Sequence, residues 1–195
     1  GSLMRVLPLA LWHLGSDAEL VADAFAQSAV THGHVRSQVC GALYCLFARR
    51  LLLGMPPAAA WSAAWAAFEQ VHPEGTPEHT ELTSAVFPTG AAYQVRGGGY
   101  VVESIRAAVA LVTASGPGPV DFARVVTGAI ALGDDTDTTA CIAGGLAGIV
   151  VGEGGIPRRW LDALRGRELV EPLLDQLVAR RVVPACGTVG DTRGT

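Results

Sequence analysis

At 195 residues, 50% hydrophobic and with a mean hydropathy of +0.35, the chain has enough apolar material for one compact domain with a sizeable core. Its net charge is −4, and its arginines (there is no lysine) cluster only as the pairs Arg49-Arg50, Arg158-Arg159 and Arg180-Arg181, which leaves no electrostatic footprint for nucleic acid. The longest apolar runs, Val39 to Leu53 and Thr138 to Val151, are too short or too interrupted to span a bilayer, and no signal peptide is recognisable, so a cytoplasmic location without membrane partners is expected.

In chain order the sequence reads as helix after helix. Ser16 and Glu19 form a capping-box pattern ahead of Leu20, Val21, Ala24 and Phe25, which recur at helical spacing. That helix should end near Thr31-His32-Gly33-His34. The next runs from about Arg36 to Leu53 and stops at Gly54. Pro56-Pro57 opens an Ala-rich helix with Trp61, Trp65 and Phe68 on one stripe, read as core packing. From His72 to Gly99, Pro, Gly, Thr and Glu indicate a loop with a short helix near Pro77 to Val86. Further helices are expected at Val101 to Thr113, Asp121 to Leu132, Thr136 to Val151, Arg158 to Leu164 and Val170 to Arg181, then a Gly/Thr-rich tail from Pro184. No strand-like alternation persists, so the expected fold class is an all-α, compact multi-helix bundle. Cys40, Cys45, Cys141 and Cys186 lack zinc-type spacing; three lie in apolar helix-like runs, which predicts buried free thiols and a reducing compartment.

The stretch Gly133-Asp134-Asp135-Thr136-Asp137-Thr138-Thr139-Ala140 carries the chemistry. Three carboxylates and three hydroxyls stand between two helical runs. Oxygen-only donors at this density suit a hard cation such as Mg²⁺, and one helical first turn would converge Asp135, Asp137 and Thr138 on a single ion. The same residues also suit a helix N-cap, where Asp and Thr satisfy orphan amides. Ala140, Gly144, Gly148 and Gly152 recur every four residues beyond it. That stripe predicts close approach of another backbone and a helix at the centre of the bundle. Gly97-Gly98-Gly99 reads either as linker or as a set of backbone N–H groups suited to an anionic or nucleotide ligand.

The run from Gly133 to Gly148, with Gly152 and Ile156-Pro157-Arg158-Arg159-Trp160, resembles the ADP-ribosylglycohydrolase family. Three further segments match it in order: Gly1-Ser2-Leu3-Met4-Arg5-Val6 with Pro8, then Thr31-His32, then Gly97-Gly98-Gly99-Tyr100-Val101-Val102-Glu103-Ser104. Read literally, Asp135-Thr136-Asp137-Thr138-Thr139 is also the Asp-x-Asp-x-Thr of haloacid-dehalogenase-type phosphatases. Those need an apolar strand before the first Asp and a downstream Lys; here the lead-in Phe122 to Leu132 has helical periodicity and there is no Lys.

The resemblance implies a hydrolase of the ADP-ribosyl glycosidic bond, acting on ADP-ribosylated side chains or related conjugates through an oxocarbenium-like state. It implies a two-ion Mg²⁺ (or Mn²⁺) centre that grips the ribose and orients water, with Asp135, Asp137 and Thr138 as ligands. Gly1 and Ser2 match the family's backbone phosphate-contact segment, with Met4 and Arg5 packing and bracing it. His32 matches a position near the pyrophosphate, and Gly98, Gly99 and Tyr100 match the loop at the nucleotide end. Residues 1–183 correspond to the C-terminal portion of the family domain, with 184–195 a flexible tail. The remaining metal ligands and the catalytic acid/base are expected in an N-terminal portion before Gly1, which would be a partner of this one. The competing reading is a catalytically inactive family member or fragment serving as a binding or structural module.

Overall fold

The computed structural model describes residues 1–88, 93–114 and 119–181. The expected tail 184–195 and Cys186 lie outside the described residues. Among those described there are ten α-helices and no strand: α1 Leu7–Trp12, α2 Asp17–Ala29, α3 Val35–Leu52, α4 Pro57–Val71, α5 Pro77–Glu81, α6 Val101–Thr113, α7 Phe122–Ala131, α8 Thr136–Val151, α9 Arg158–Ala163 and α10 Arg167–Arg181. None is long and apolar enough to cross a membrane. By packing, the chain divides into one unit from Gly1 to Leu161 and another beginning at Asp162.

Local chemistry sets the helix ends of the first unit. Ser16 and Glu19 make the predicted capping box at the start of α2. His34 caps α3 by accepting the Arg36 amide on Nδ1 at 3.1 Å. Gly54, at φ +83°, ends the α3 region in the left-handed conformation that glycine adopts without a Cβ penalty. The expected short helix near Pro77 to Val86 is α5 running directly into a π-helical turn, Leu82–Val86. Arg106 of α6 closes that turn, its Nε donating to the Val86 carbonyl at 2.7 Å and its second amine to Ala85 at 3.0 Å. Two expectations need correction. The six-residue α1 was missed, although Pro8 in its first turn is a start signal. Helix α10, in the second unit, begins a turn before the expected Val170; an Arg167–Glu171 ion pair at 2.8 Å supports that turn and Pro172 falls inside the helix.

The centre of the first unit is α3. Every residue from Val39 to Ala48 is buried, on all faces, so α1, α2, α4, α6 and α8 pack around it. Burying side chains such as Leu43, Leu46 and Phe47 contributes about 1.5–3 kcal/mol each. The aromatic stripe of α4 belongs to this core: Trp61 meets Phe47 edge-on at 5.4 Å and Phe87 at 5.0 Å. Cys40 and Cys45 are buried free thiols as expected, whereas Cys141 is exposed, because it lies on the outer face of α8.

The expected central place of α8 is therefore held by α3. Helix α8 buries one face only, through Thr139, Ile142, Ala143, Leu146 and Ala147. Its glycine stripe admits side chains rather than a backbone: a Cβ on Gly144 would meet Val126 at 3.3 Å and one on Gly148 would meet the Phe122 ring at 3.8 Å, both from α7. The tightest approach is at Gly145, outside the stripe. There a Cβ would stand 2.8 Å from both Leu7 Cδ2 and the Tyr44 hydroxyl, which donates to the Ile142 carbonyl at 3.0 Å.

Candidate active site

Between α7 and α8 the chain reverses through Gly133 at φ +78° and Asp134 at φ +54°. An L-residue other than glycine seldom enters this region; aspartate is among those that tolerate it. The reversal brings the start of α8 against the loop before α6. The Asp135 amide donates to the Gly97 carbonyl at 2.9 Å, and the buried Thr139 hydroxyl lies 3.2 Å from that carbonyl and 2.9 Å from the Asp135 carbonyl.

Gly97 and Gly99 lie against this turn, and Gly98 lies against the first turn of α6. A Cβ on Gly97 would strike the Gly133 carbonyl, one on Gly98 the Glu103 carboxylate, and one on Gly99 the Asp135 carboxylate. The loop and the acidic turn thus interlock, oxygen against Cα, and the glycines serve close approach rather than linker mobility. On the far side of α6's first residue, the Ser104 hydroxyl lies 3.2 Å from both the Gly98 and Tyr100 carbonyls and ties the loop to the helix.

Asp135 occupies the N-cap position of α8, yet its side chain makes no well-formed capping hydrogen bond. Hydrogen bonding with the Thr138 side chain, then with the Asp137 side chain, holds its carboxyl below the ordinary value, and the Thr138 amide adds a smaller contribution. Asp137 is exposed in the same turn, and the Thr138 hydroxyl lies 3.6 Å from Met4 Sδ.

That last contact links the acidic turn to the segment at Gly1. The Gly1 nitrogen stands 3.3 Å from His32 Nε2, and Thr31 Oγ1 meets His32 Nδ1 at 2.7 Å. Ser2 is buried with its hydroxyl accepting from Ser28 at 3.0 Å, while Ser28 also lies 3.1 Å from the His32 carbonyl. The Ser2 hydroxyl is thus taken up within the fold, and its carbonyl accepts from Gln27 Nε2 at 3.5 Å. Arg5 braces the segment, donating to the Gln27 carbonyl at 2.7 Å and side chain at 3.2 Å.

Tyr100, the N-cap residue of α6, is half exposed; its hydroxyl accepts from Arg36 at 2.6 Å, and Arg36 also pairs with Glu81. Tyr100 and Arg36 line a cleft of about 240 Å³ together with His34, Ser37 and Val101. Sequence reasoning overlooked Arg36 and Thr139. Thr139 lies inside the acidic motif and was legible as its sixth polar residue, whereas nothing local marks Arg36.

Asp135, Asp137 and Thr138 form an oxygen-only donor set of the kind Mg²⁺ takes. Among the described residues, no group of three or more His, Cys, Asp or Glu side chains could hold a metal. On its own the turn offers two carboxylates and one hydroxyl, fewer oxygens than a magnesium ion takes.

Comparison with known proteins gives this arrangement a context. The ADP-ribosylglycohydrolase family profile matches residues 1–186. The chain is 27% identical over 181 residues to the ADP-ribosylarginine hydrolase Tri1 of Pseudomonas putida (strain GB-1), a match covering 92% of this chain and 46% of that protein. It is 34% identical over 84 residues to the ADP-ribosylarginine hydrolase Tri1 of Serratia proteamaculans (strain 568), covering 43% of this chain and 22% of that one. The chain thus spans about half the length of the first of these relatives, or less in the second match. With a family match running through nearly all of its residues, the chain belongs to the ADP-ribosylglycohydrolase family.

Proposed function

We propose that the chain forms part of a magnesium-dependent hydrolase that releases ADP-ribose from ADP-ribosylated arginine side chains. The observation that carries this reading is the convergence of four separated segments: Gly1 against His32, Met4 against Thr138, and Gly97 and Gly99 against Asp135. The arginine linkage is supported by the names of both relatives.

Asp135, Asp137 and Thr138 would hold magnesium, which when bound supplies positive charge for the ribose oxygens and the attacking water. Cleavage at the anomeric carbon passes through an oxocarbenium-like state. Hydrogen bonding to Thr138 favours the carboxylate form of Asp135, which is anionic at neutral pH. Gly98, Gly99 and Tyr100 bound the nucleotide end, and the Gly1-Ser2 backbone with His32 lies on the diphosphate side. Further metal ligands and the acid/base carboxylate come from residues other than those described. The setting is cytoplasmic, where ADP-ribosylated proteins and free magnesium coexist.

The test uses the full-length natural protein on a panel of ADP-ribosylated arginine, serine and small-molecule conjugates, with magnesium and with chelator. Release of ADP-ribose from the arginine conjugate, abolished by chelator, is expected. Tight ADP-ribose binding with no release from any conjugate would make the protein a binding module instead.

A further inference from the structure

We infer that Arg36 is a positioning residue that fixes the Tyr100 ring as a wall of the ligand cleft; the inference rests on the functional reading above. Three elements meet in Arg36. It is the second residue of α3, it pairs through Nε with Glu81 at the end of α5, and it donates from a terminal amine to the hydroxyl of Tyr100 at the N-cap of α6, at 2.6 Å. The Glu81 side chain is 16% exposed and that of Arg36 33%, so the pair is only partly shielded from water.

Two features separate holding from binding. Glu81 neutralises the guanidinium, so Arg36 offers the ligand little net charge. Tyr100 is 49% exposed, and an aromatic side chain with that much freedom would sample several rotamers without a tether at its hydroxyl. The planar fork of arginine grips the carboxylate and the phenol at a set angle, which the single ammonium of lysine cannot do. With the ring held before the ligand arrives, the entropy of ordering it is not lost on binding, an advantage of roughly two- to tenfold in affinity. Because Gly99 lies against Asp135 and is followed directly by Tyr100, a fixed ring also sets where a ligand meets the acidic turn.

The test measures ADP-ribose binding by calorimetry, steady-state turnover, and the ¹³C resonances of labelled tyrosine rings in the full-length protein. Tyr100→Phe identifies the Tyr100 signal. Arg36→Met should move that signal and raise KM about two- to tenfold, more than it lowers kcat. Tyr100→Phe keeps the ion pair intact, so it folds even if Arg36→Met does not, and it should weaken binding by the same factor. The double variant should be no worse than either single one, since both remove one bond. Arg36→Lys, which keeps the charge but not the fork, should restore less than half of the loss. An unchanged Tyr100 signal in Arg36→Met, or additive losses in the double variant, would overturn the inference. If the wild type fails to bind ADP-ribose while the ring signal still responds to Arg36→Met, the functional reading falls and the tether stands. If ADP-ribose binds but neither ring nor affinity responds, the tether falls and the functional reading stands.

Discussion

Helix α3 and the loop from Gly97 to Tyr100 are both crowded, and the crowding has opposite causes. Around α3, aliphatic and aromatic side chains fill space, and each contact is replaceable by another of similar volume. At the loop, backbone and carboxylate oxygens stand where side chains would otherwise be, so an added Cβ must displace one of them. The first kind of crowding stabilises the fold. The second kind sets the position of Asp135, and adds little stability because it buries little apolar surface.

If that division is right, damage to one region should leave the other's property intact. Phe47→Ala should cost about 3–5 kcal/mol in denaturant unfolding, by emptying the centre of the bundle. Protein that remains folded should keep its affinity for magnesium. A parallel loss of metal affinity in the folded fraction would show that the site is not separable from the core.

Asp135→Asn should do the reverse. Turnover in the full-length protein should fall by roughly 100-fold or more as a metal carboxylate is lost. The melting temperature should hold, because that carboxylate makes no well-formed cap. Gly99→Ala makes the comparison sharper, since it removes no ligand. Its new Cβ must displace the Asp135 carboxylate, so magnesium affinity measured by calorimetry should drop by about tenfold, with a smaller loss than Asp135→Asn in turnover. Normal metal binding in Gly99→Ala would mean that Asp135 swings free of the loop.

The smallest effect belongs to the ion cluster that ties α2 to α3. Burial pushes the Asp17 carboxyl up, but hydrogen bonds from Arg50 and Arg49, with their charges, outweigh it and leave the folded pKa below the ordinary value. A lowered folded pKa means that the ionised group's contribution is present above about pH 4 and is lost as pH falls through the folded value. The cluster is partly solvated, so the contribution is about 1 kcal/mol or less. Asp17→Asn should flatten the acid limb of a stability-versus-pH curve by that amount and leave magnesium binding unchanged.

What the sequence disclosed follows the range of the interactions involved. The ends of α6 and α8 agree with their predicted bounds because the glycines beside their apolar runs, Gly99, Gly133 and Gly152, are local signals. The four motif segments were legible singly, and the structure joins them. The role of the α8 stripe was misread because a four-residue period shows which glycines share a face, but not whether the neighbour presents backbone or side chain. Phe122 and Val126 supply side chains there, and Gly145, off the stripe, carries the close contact. Arg36 and Tyr100 lie 64 residues apart, and no periodicity relates them.

The meeting of Tyr44, Ile142 and Gly145 constrains the order in which this protein can change. Gly145→Ala alone would drive a methyl into the tyrosine oxygen and against Leu7 Cδ2, a side-chain end that can turn aside, and Tyr44→Phe first removes the oxygen. The loss of one hydrogen bond to the Ile142 carbonyl costs about 1 kcal/mol, a step most folds survive. After Gly145→Ala has followed, the phenylalanine ring cannot regain a hydroxyl without a clash. A lineage that takes those two steps in that sequence has closed the way back, and related chains should carry tyrosine with glycine or phenylalanine with alanine at these two positions, with the pairing of tyrosine and alanine the rarest.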